Sequence, residues 1–256
     1  MYRLLIIATI LIFSSDSKSQ QQTLGSDFQH SDPQVERVLQ RAFDKNGGFD
    51  NYRNLKSISY KKRTILYHPD GKVESDVTQY HEYTTSPEVS ATIFWIKDGH
   101  RHSIKYENEI GQKYVDGQLV ADGSKSATSS FLSAHYVLFM PFKLSDDYVQ
   151  LSYLGEDQQS GHDVDVIKAV YSPSEHDNHS TNDTWWYYFD STTGAYVASM
   201  VYHEPTFALI ENTRQNTDLP LVMNTYRISH RVDDDGNKEY VRGEFFYEDY
   251  EMTFDK

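Results

Sequence analysis

Apolar residues recur every three or four positions near the start of the chain, which indicates an amphipathic helix. Between Val35 and Phe43 these side chains would lie along one stripe. Asp32-Pro33 supplies a capping residue followed by a proline that suits the first helical turn, and Gly47-Gly48 follows the last apolar residue. The pattern therefore predicts a helix that begins at Pro33 and ends at the glycine pair, with one face against a flat apolar surface.

The most apolar stretch covers residues 130–144, where aromatic and aliphatic side chains dominate. Their spacing predicts a helix over residues 130–139, with Ser129-Ser130 as its cap and Pro141 as its stop. A buried core helix explains this pattern. A second interpretation makes the stretch a plug or lid whose Met and Phe side chains line a cavity, since methionine fills irregular spaces.

After Lys56 apolar and polar residues alternate, as they do in strands with one buried face. The predicted strands are residues 57–67, 73–83, 91–97, 100–106, 112–115, 118–121, 148–154, 163–171, 184–190, 195–203, 221–232 and 238–250. Asp-Gly pairs at 70–71, 98–99, 116–117 and 235–236 favour tight hairpins, so consecutive strands should pair antiparallel. About a dozen strands and two helices predict a mainly β (α+β) fold, a single open antiparallel half-barrel covered by an N-terminal helix and a central helix.

Several landmarks in the chain resemble an uncharacterised family of exported bacterial proteins. The most specific is the run Met140-Pro141-Phe142-Lys143-Leu144, which follows Tyr136. The others are glycine and aromatic positions, namely Gly47-Gly48, Tyr52, Leu55, Trp95, Tyr153-Leu154-Gly155, Tyr188-Phe189-Asp190 and Gly194. That family is similar in fold to the lipoprotein carriers of the LolA and LolB type. The resemblance covers about residues 35 to 250.

The resemblance implies a concave, apolar sheet face covered by helices, as in carriers that hold acyl chains. We expect five side chains to line the cavity under these helices: Trp95, Tyr136, Phe139, Met140 and Phe142. The partner implied is a hydrophobic small molecule or lipid. No residue pattern in the sequence calls for a cofactor.

The beginning of the chain is expected to be an export signal. Arg3 precedes an apolar run from Leu4 to Phe13, which is too short to span a bilayer, and Ser17-Lys18-Ser19 offers small residues for cleavage. We therefore expect a periplasmic or secreted protein. Its predicted parts are a signal peptide at residues 1–19 cleaved near Ser19, a disordered segment at 20–31 and a single domain at 32–256.

The charge balance restricts the expected partners further. The chain has 38 acidic and 24 basic residues and a formal net charge of -14. Nucleic acids and anionic membrane surfaces attract clustered Lys and Arg, so we expect neither as a partner. No cysteine occurs, and we therefore expect no disulfide, no thiol nucleophile and no lipid anchor of the bacterial lipoprotein type.

Metal and catalytic signatures are scarce. His100 and His102 would share one face of a strand and Glu107 follows, which partly matches the first histidine motif of cupins. The acidic loop at residues 172–184 carries further His and Asp residues, but such a composition is typical of a solvated loop. We predict no catalytic residue and no metal site, with His100, His102 and Glu107 as the weak metal candidate.

Three functional classes remain open. An apolar cavity with few polar groups suits binding rather than bond cleavage, so we expect a non-enzymatic binder or carrier of an acyl or lipid-like ligand. The first alternative is an exported metal-dependent enzyme that uses His100, His102 and Glu107. The second is a protein-interaction module without a small ligand.

Overall fold

The computed structural model describes residues 28–171 and 183–255. Within these residues the helices are α1 (Pro33–Lys45), α2 (Phe49–Asn54) and α3 (Ser124–Leu138), and a 3₁₀ turn follows at Phe142–Ser145. The strands are β1 (Leu55–Tyr67), β2 (Val73–Thr84), β3 (Ser90–Lys97), β4 (His100–Glu107), β5 (Ile110–Val115), β6 (Gln118–Leu119), β7 (Val149–Gln159), β8 (His162–Tyr171), β9 (Thr184–Asp190), β10 (Tyr196–His203), β11 (Thr206–Asn216), β12 (Met223–Val232) and β13 (Lys238–Phe254). No helix in these two ranges is long and apolar enough to span a membrane.

All strands of the described residues belong to one antiparallel sheet. Its order is β6-β5-β4-β3-β2-β1-β13-β12-β11-β10-β9-β8-β7. Strands that follow each other in sequence are therefore neighbours, except that α3 separates β6 from β7. The first and last strands meet in the middle of the sheet, where β1 pairs with β13. Because β6 and β7 remain two separate edges, the sheet is an open half-barrel, which confirms the predicted fold class.

Two elements differ from the prediction. β11 was not predicted, because polar residues such as Glu211 and Asn212 interrupt the alternation after Ile210. This strand is held by hydrogen bonds to β10 on one side and to β12 on the other. It therefore lies between the strands predicted at 195–203 and 221–232, which are not adjacent. The central helix also begins earlier than predicted, with Gly123 and not Ser129-Ser130 at its N-cap.

The first helix has the predicted limits and the predicted buried face. The backbone N–H of Gln34 donates to Oδ1 of Asp32 at 2.9 Å, which caps the helix. Its buried residues are Val35, Val38, Leu39, Ala42 and Phe43. On its other side Arg41 forms an ion pair with the buried carboxylate of Asp165 in β8. The apolar stripe and this ion pair together fix α1 across the sheet.

Contacts with α1 begin before its first residue. The ring of Phe28 packs edge-on against Phe43, with the ring centroids 5.4 Å apart, and its backbone N–H donates to Gln40. The backbone N–H of His30 donates to Glu36 at 2.8 Å. Residues 28–31 therefore contact the helix, whereas most of the segment predicted to be disordered, residues 20–31, lies outside the described residues. The predicted signal peptide lies outside the described residues.

The central helix lies directly on β4 and β5. Phe131 is fully buried and stacks on Tyr106 with the ring centroids 3.9 Å apart. A Cβ atom added to Gly111 would lie 2.2 Å from the backbone nitrogen of Thr128, so the helix backbone touches the strand at this point. The Gly111 N–H also donates to the hydroxyl of Thr128 at 2.8 Å. These contacts hold α3 over one half of the sheet.

The outer face of the sheet carries a second apolar cluster. Its members come from β8 to β12 and are Val164, Val166, Tyr188, Val197, Ala198, Leu209 and Val232. Side chains alternate between the two faces of a strand, so these residues point away from the concave face. Both faces of the C-terminal half are thus partly apolar.

Candidate ligand cavity

A cavity of about 790 Å³ lies between the concave face of the sheet and α3. Most sheet strands contribute to its wall, from β1 to β5 and from β9 to β13. Its size is within the range of about 300 to 1,000 Å³ that is typical of small-molecule sites. Protein interiors otherwise contain few voids larger than a water molecule, so a space of this size marks a candidate site.

One end of the cavity is mainly apolar, although Lys113 of β5, the cross-strand partner of Ile104, also lines it. Ile93 and Trp95 of β3 and Ile104 of β4 form its sheet side. Val137 and Met140 cover it from the central helix and the turn that follows. The register of β2 with β3 places Ile93 beside His81 and Trp95 beside Gln79, so the apolar wall continues directly into the strands at the centre of the sheet.

The predicted lining residues divide into two groups. Trp95, Tyr136 and Met140 are brought together on the cavity wall. Phe139 and Phe142 instead pack against the N-terminal helices, where the ring of Phe142 stacks on Tyr52 with the centroids 4.7 Å apart. The stretch 130–144 thus serves in part as cavity lining and in part as core. Contact of any of these side chains with a ligand stays a prediction.

A row of serines marks the opening of the cavity. Ser126, Ser130 and Ser133 lie on one side of α3, are exposed, and line the cavity. Positions three and four residues apart share one helix face, so the three hydroxyls follow each other along the mouth. Because these exposed side chains also line the cavity, we infer that its mouth lies beside them, on the side of α3 away from β4 and β5.

Two cationic side chains flank Tyr247 at the floor of the cavity. Lys62 of β1 lies with its Nζ 5.8 Å from the ring centroid of Tyr247 in β13. Arg227 of β12 is 7% exposed and donates through Nε to Oδ1 of Asn212 at 2.9 Å. Burial raises the pKa of Tyr247, but the positive charges of Lys62 and Arg227 outweigh it, so its pKa lies below the usual value. The floor is therefore electropositive.

His81 lies beside this cationic floor. It is only 2% exposed, and its Nδ1 lies 2.7 Å from the hydroxyl oxygen of Tyr83 and 3.2 Å from that of Tyr60. The residue lines the cavity, and its buried Nε2 has no hydrogen-bond partner in the described chain. Burial, and to a smaller extent Lys62, lowers the pKa of His81 well below its usual range, so the imidazole is neutral.

Two further polar side chains lie on the cavity wall, those of Trp185 and Asp183. The indole Nε1 of Trp185 is buried and lacks a hydrogen-bond partner among the described residues. Asp183 is the one carboxylate among the described lining residues, and His203 holds it at 2.6 Å. The cavity thus combines an apolar end with a floor of cations and hydrogen-bond donors.

The side chains of the weak metal candidate, His100, His102 and Glu107, do not meet at one site. The Nδ1 of His100 lies 2.6 Å from Asp116, whereas His102 stacks on Trp95 with the ring centroids 5.4 Å apart. Glu107 lies at the far end of β4 and, by strand alternation, on the opposite face. Among the described residues no group of three or more His, Cys, Asp or Glu side chains is placed to hold a metal ion. Most of the loop at 172–184 lies outside the described residues.

Sequence reasoning missed the polar floor, although strand alternation carried a signal for it. Lys62 has the same parity along β1 as the buried residues Ile58 and Tyr60, and Arg227 has the parity of Met223 in β12. If the inward-facing positions of each strand are assigned by alternation along the chain and not by hydrophobicity, both cations fall on the concave face.

No protein-family model matches the sequence, and no curated protein matches it. Among solved structures, a DUF1329 family protein from Desulfovibrio piger superposes with a TM-score of 0.54 at 12% identity, over 84% of this chain and 92% of that one. A putative outer membrane lipoprotein-sorting protein domain from Vibrio parahaemolyticus gives 0.50 at 11% identity, over 84% and 91%. A LolA superfamily protein from Nitrosomonas europaea gives 0.49 at 10% identity, over 82% and 91%. The first two superpositions show that the chain shares its fold with those two proteins, and they support the LolA-like fold that the sequence landmarks imply.

Proposed function

We propose that the protein is an exported, non-enzymatic carrier that binds an acyl or lipid-like ligand in the cavity under α3. The observation that carries this proposal is the cavity itself, about 790 Å³ with an apolar end formed by Ile93, Trp95 and Met140. The likeness in fold to a lipoprotein-sorting domain supports it. Export through a signal peptide cleaved near Ser19 is part of the same proposal.

Apolar burial provides the affinity. Each methylene group that moves from water into an apolar site contributes about 0.8 kcal/mol, so a chain laid along β3 and β4 gains several kcal/mol. Entry is through the mouth beside Ser126, Ser130 and Ser133, because α3 is closed against β4 and β5 on its other side. No strand pair has to break for the ligand to reach the cavity.

The proposal is tested with purified protein and a neutral dye. Native mass spectrometry is expected to show a co-purifying acyl-type mass, and Nile red is expected to bind saturably with a rise in fluorescence. Ala134→Trp fills the cavity from α3 and should weaken dye binding by about tenfold or more, since a bulky indole occupies the ligand's space.

Ser129→Trp is the matched control, because Ser129 is exposed on the same helix and does not line the cavity. It should leave dye affinity within about twofold, a change of about 0.4 kcal/mol. Absence of both a co-purifying mass and saturable dye binding would contradict the carrier. A stoichiometric metal lost in the double variant His100→Ala with His102→Ala would support the enzyme alternative instead.

A further inference from the structure

The cavity floor holds positive charge that no neighbouring carboxylate balances. Lys62 lies over the rings of Phe245 and Tyr247, Arg227 donates to Asn212, and in the described part of the chain neither forms an ion pair. Arg227 is buried, and a buried cation without an opposite charge is costly, because a neutral partner such as Asn212 replaces its lost hydration only in part. The whole chain is strongly acidic, at -14, so the positive floor is a local exception to its charge.

Two buried nitrogens near the floor lack a hydrogen-bond partner in the described chain, and both can act as hydrogen-bond donors. Trp185 Nε1–H can only donate a hydrogen bond. When a tyrosine hydroxyl donates to Nδ1 of His81, the ring proton lies on Nε2, which is then a buried N–H donor without a partner in the described chain. Two cations and two hydrogen-bond donors match a ligand group that is negatively charged and accepts hydrogen bonds, as a carboxylate or phosphate does.

The anion-binding floor and the apolar wall are close enough for one molecule to contact both. Along one row of the sheet Lys62 pairs with Gln79, and Gln79 pairs with Trp95. Adjacent strands lie about 4.8 Å apart, so the backbones of Lys62 and Trp95 are about 10 Å apart. Arg227 lies on the other side of Lys62, with β13 between them.

We propose that the ligand is an anionic amphiphile, whose carboxylate or phosphate group binds at Lys62 and Arg227 while its acyl chain lies against Ile93, Trp95 and Ile104. This inference rests on the proposed carrier function and specifies its ligand class. The Nε2 of His81 adds a hydrogen bond to the same head group. A neutral lipid of equal length would leave both cations without an opposite charge and this donor without a hydrogen-bond partner.

The test compares acids with their neutral counterparts. Dodecanoate and dodecyl phosphate should each displace Nile red at concentrations at least tenfold lower than methyl dodecanoate, which has the same chain and no charge. Acetate and inorganic phosphate test for a plain anion site in a calorimetric titration. They should bind at least a hundredfold more weakly than dodecanoate, because they lack the chain.

Charge-removing variants locate the head group. Lys62→Met and Arg227→Met should each weaken dodecanoate by about tenfold or more and leave methyl dodecanoate within about twofold. Lys61→Met and Arg214→Met remove a cation from the exposed surface beside each site and should change neither affinity. Equal displacement by acid and ester in a parent protein that binds Nile red would overturn the anionic head group and leave the carrier intact.

A measurement on the unmodified protein avoids any folding defect of the Arg227 variant. Dodecanoate at the floor would offset the two cations and raise the pKa of Tyr247, whereas methyl dodecanoate would not. The shift is read from tyrosinate absorbance during an alkaline titration, with Tyr247→Phe identifying the responding group. An unchanged titration in the presence of saturating dodecanoate would place the carboxylate elsewhere and overturn the proposal.

Discussion

Met140 and Phe142 are close in sequence but have different surroundings. Met140 faces the ligand cavity, whereas Phe142 is packed among Phe43, Phe49 and Tyr52. We expect Phe142→Ala to lower the free energy of unfolding by about 3 to 5 kcal/mol, because it leaves a hole among three rings. Met140→Ala should cost less than about 2 kcal/mol and should weaken Nile red binding.

Urea unfolding monitored by fluorescence measures both changes. Leu39→Ala in α1 is the control for a filled core, since Leu39 is completely buried, and should cost about 2 to 5 kcal/mol. If Met140→Ala destabilises the protein as much as Leu39→Ala does and leaves dye binding unchanged, Met140 is ordinary core.

Buried His81 makes the stability of the protein depend on pH. Its pKa lies well below that of an unfolded histidine, so below pH of about 6.5 the unfolded chain binds a proton that the folded chain does not. The free energy of unfolding should therefore fall as pH decreases from that value, by up to about 1.4 kcal/mol per pH unit for each such histidine. The pKa values of His135 and His230 are lowered by burial as well, so the total slope is larger.

His81→Gln should reduce this slope, whatever its effect on the stability at neutral pH. Unfolding by urea at several pH values between about 4.5 and 7 measures it. His68→Gln, at an exposed hairpin position, is the matched control. A slope that is identical in His81→Gln and the parent would show that His81 protonates equally in the folded and unfolded chain.

At the residue scale, the sequence predicted apolar contacts better than polar ones. Trp95 and Met140 were predicted to line a cavity because they are large and apolar and lie in recognisable segments; both lie on the wall of the cavity under α3, and their contact with a ligand stays a prediction. Lys62 and Arg227 were missed because a cation in a strand is normally expected to face solvent. Only the curvature of the whole sheet makes their face an interior one.

Among the elements, α3 depends on one close contact with β5. An alanine Cβ at Gly111 would meet the helix backbone at Thr128 and Ala127. Gly111→Ala should therefore push α3 away from the sheet and destabilise the protein by about 1 to 3 kcal/mol. Ile110→Ala, at an exposed neighbouring position, should stay within about 0.5 kcal/mol.

Thermal unfolding together with Nile red binding measures the effect of Gly111→Ala. A shifted helix changes the shape of the cavity, so dye affinity should change along with stability. If Gly111→Ala retained both the parent's stability and its dye affinity, the helix would not be held at this point.

The elements were predictable where one face is buried and one is solvated. β1 to β5 and α1 follow such patterns, and the four Asp-Gly pairs lie between paired strands as predicted. In the C-terminal half both faces of the sheet carry apolar clusters and β11 is largely polar, so periodicity alone could not locate every strand. The start of α3 was missed because residues 124–129 are mostly small and polar.

At the scale of the molecule, we predict that the chain folds as one unit. A chain that ends at Gly194 loses β10 to β13, which leaves β1 without β13 and β9 without β10. Such long unpaired edges favour aggregation, so the fragment should be insoluble or lack a cooperative thermal transition. The full chain, expressed identically, should unfold in a single transition by circular dichroism and fluorescence. A soluble, cooperatively folding fragment would show two domains.

The pairing of β1 with β13 has a consequence for the timing of folding. Leu55 lies opposite Phe254, so the centre of the sheet joins two ends of the sequence, and hairpins alone cannot complete it. Contacts between such distant segments form late, because the intervening loop must close first. A ribosome-bound or partly translocated chain therefore lacks its central ladder until the last strand emerges. This delay would suit a protein that is exported, as proposed above, and that acquires its cavity only after arrival.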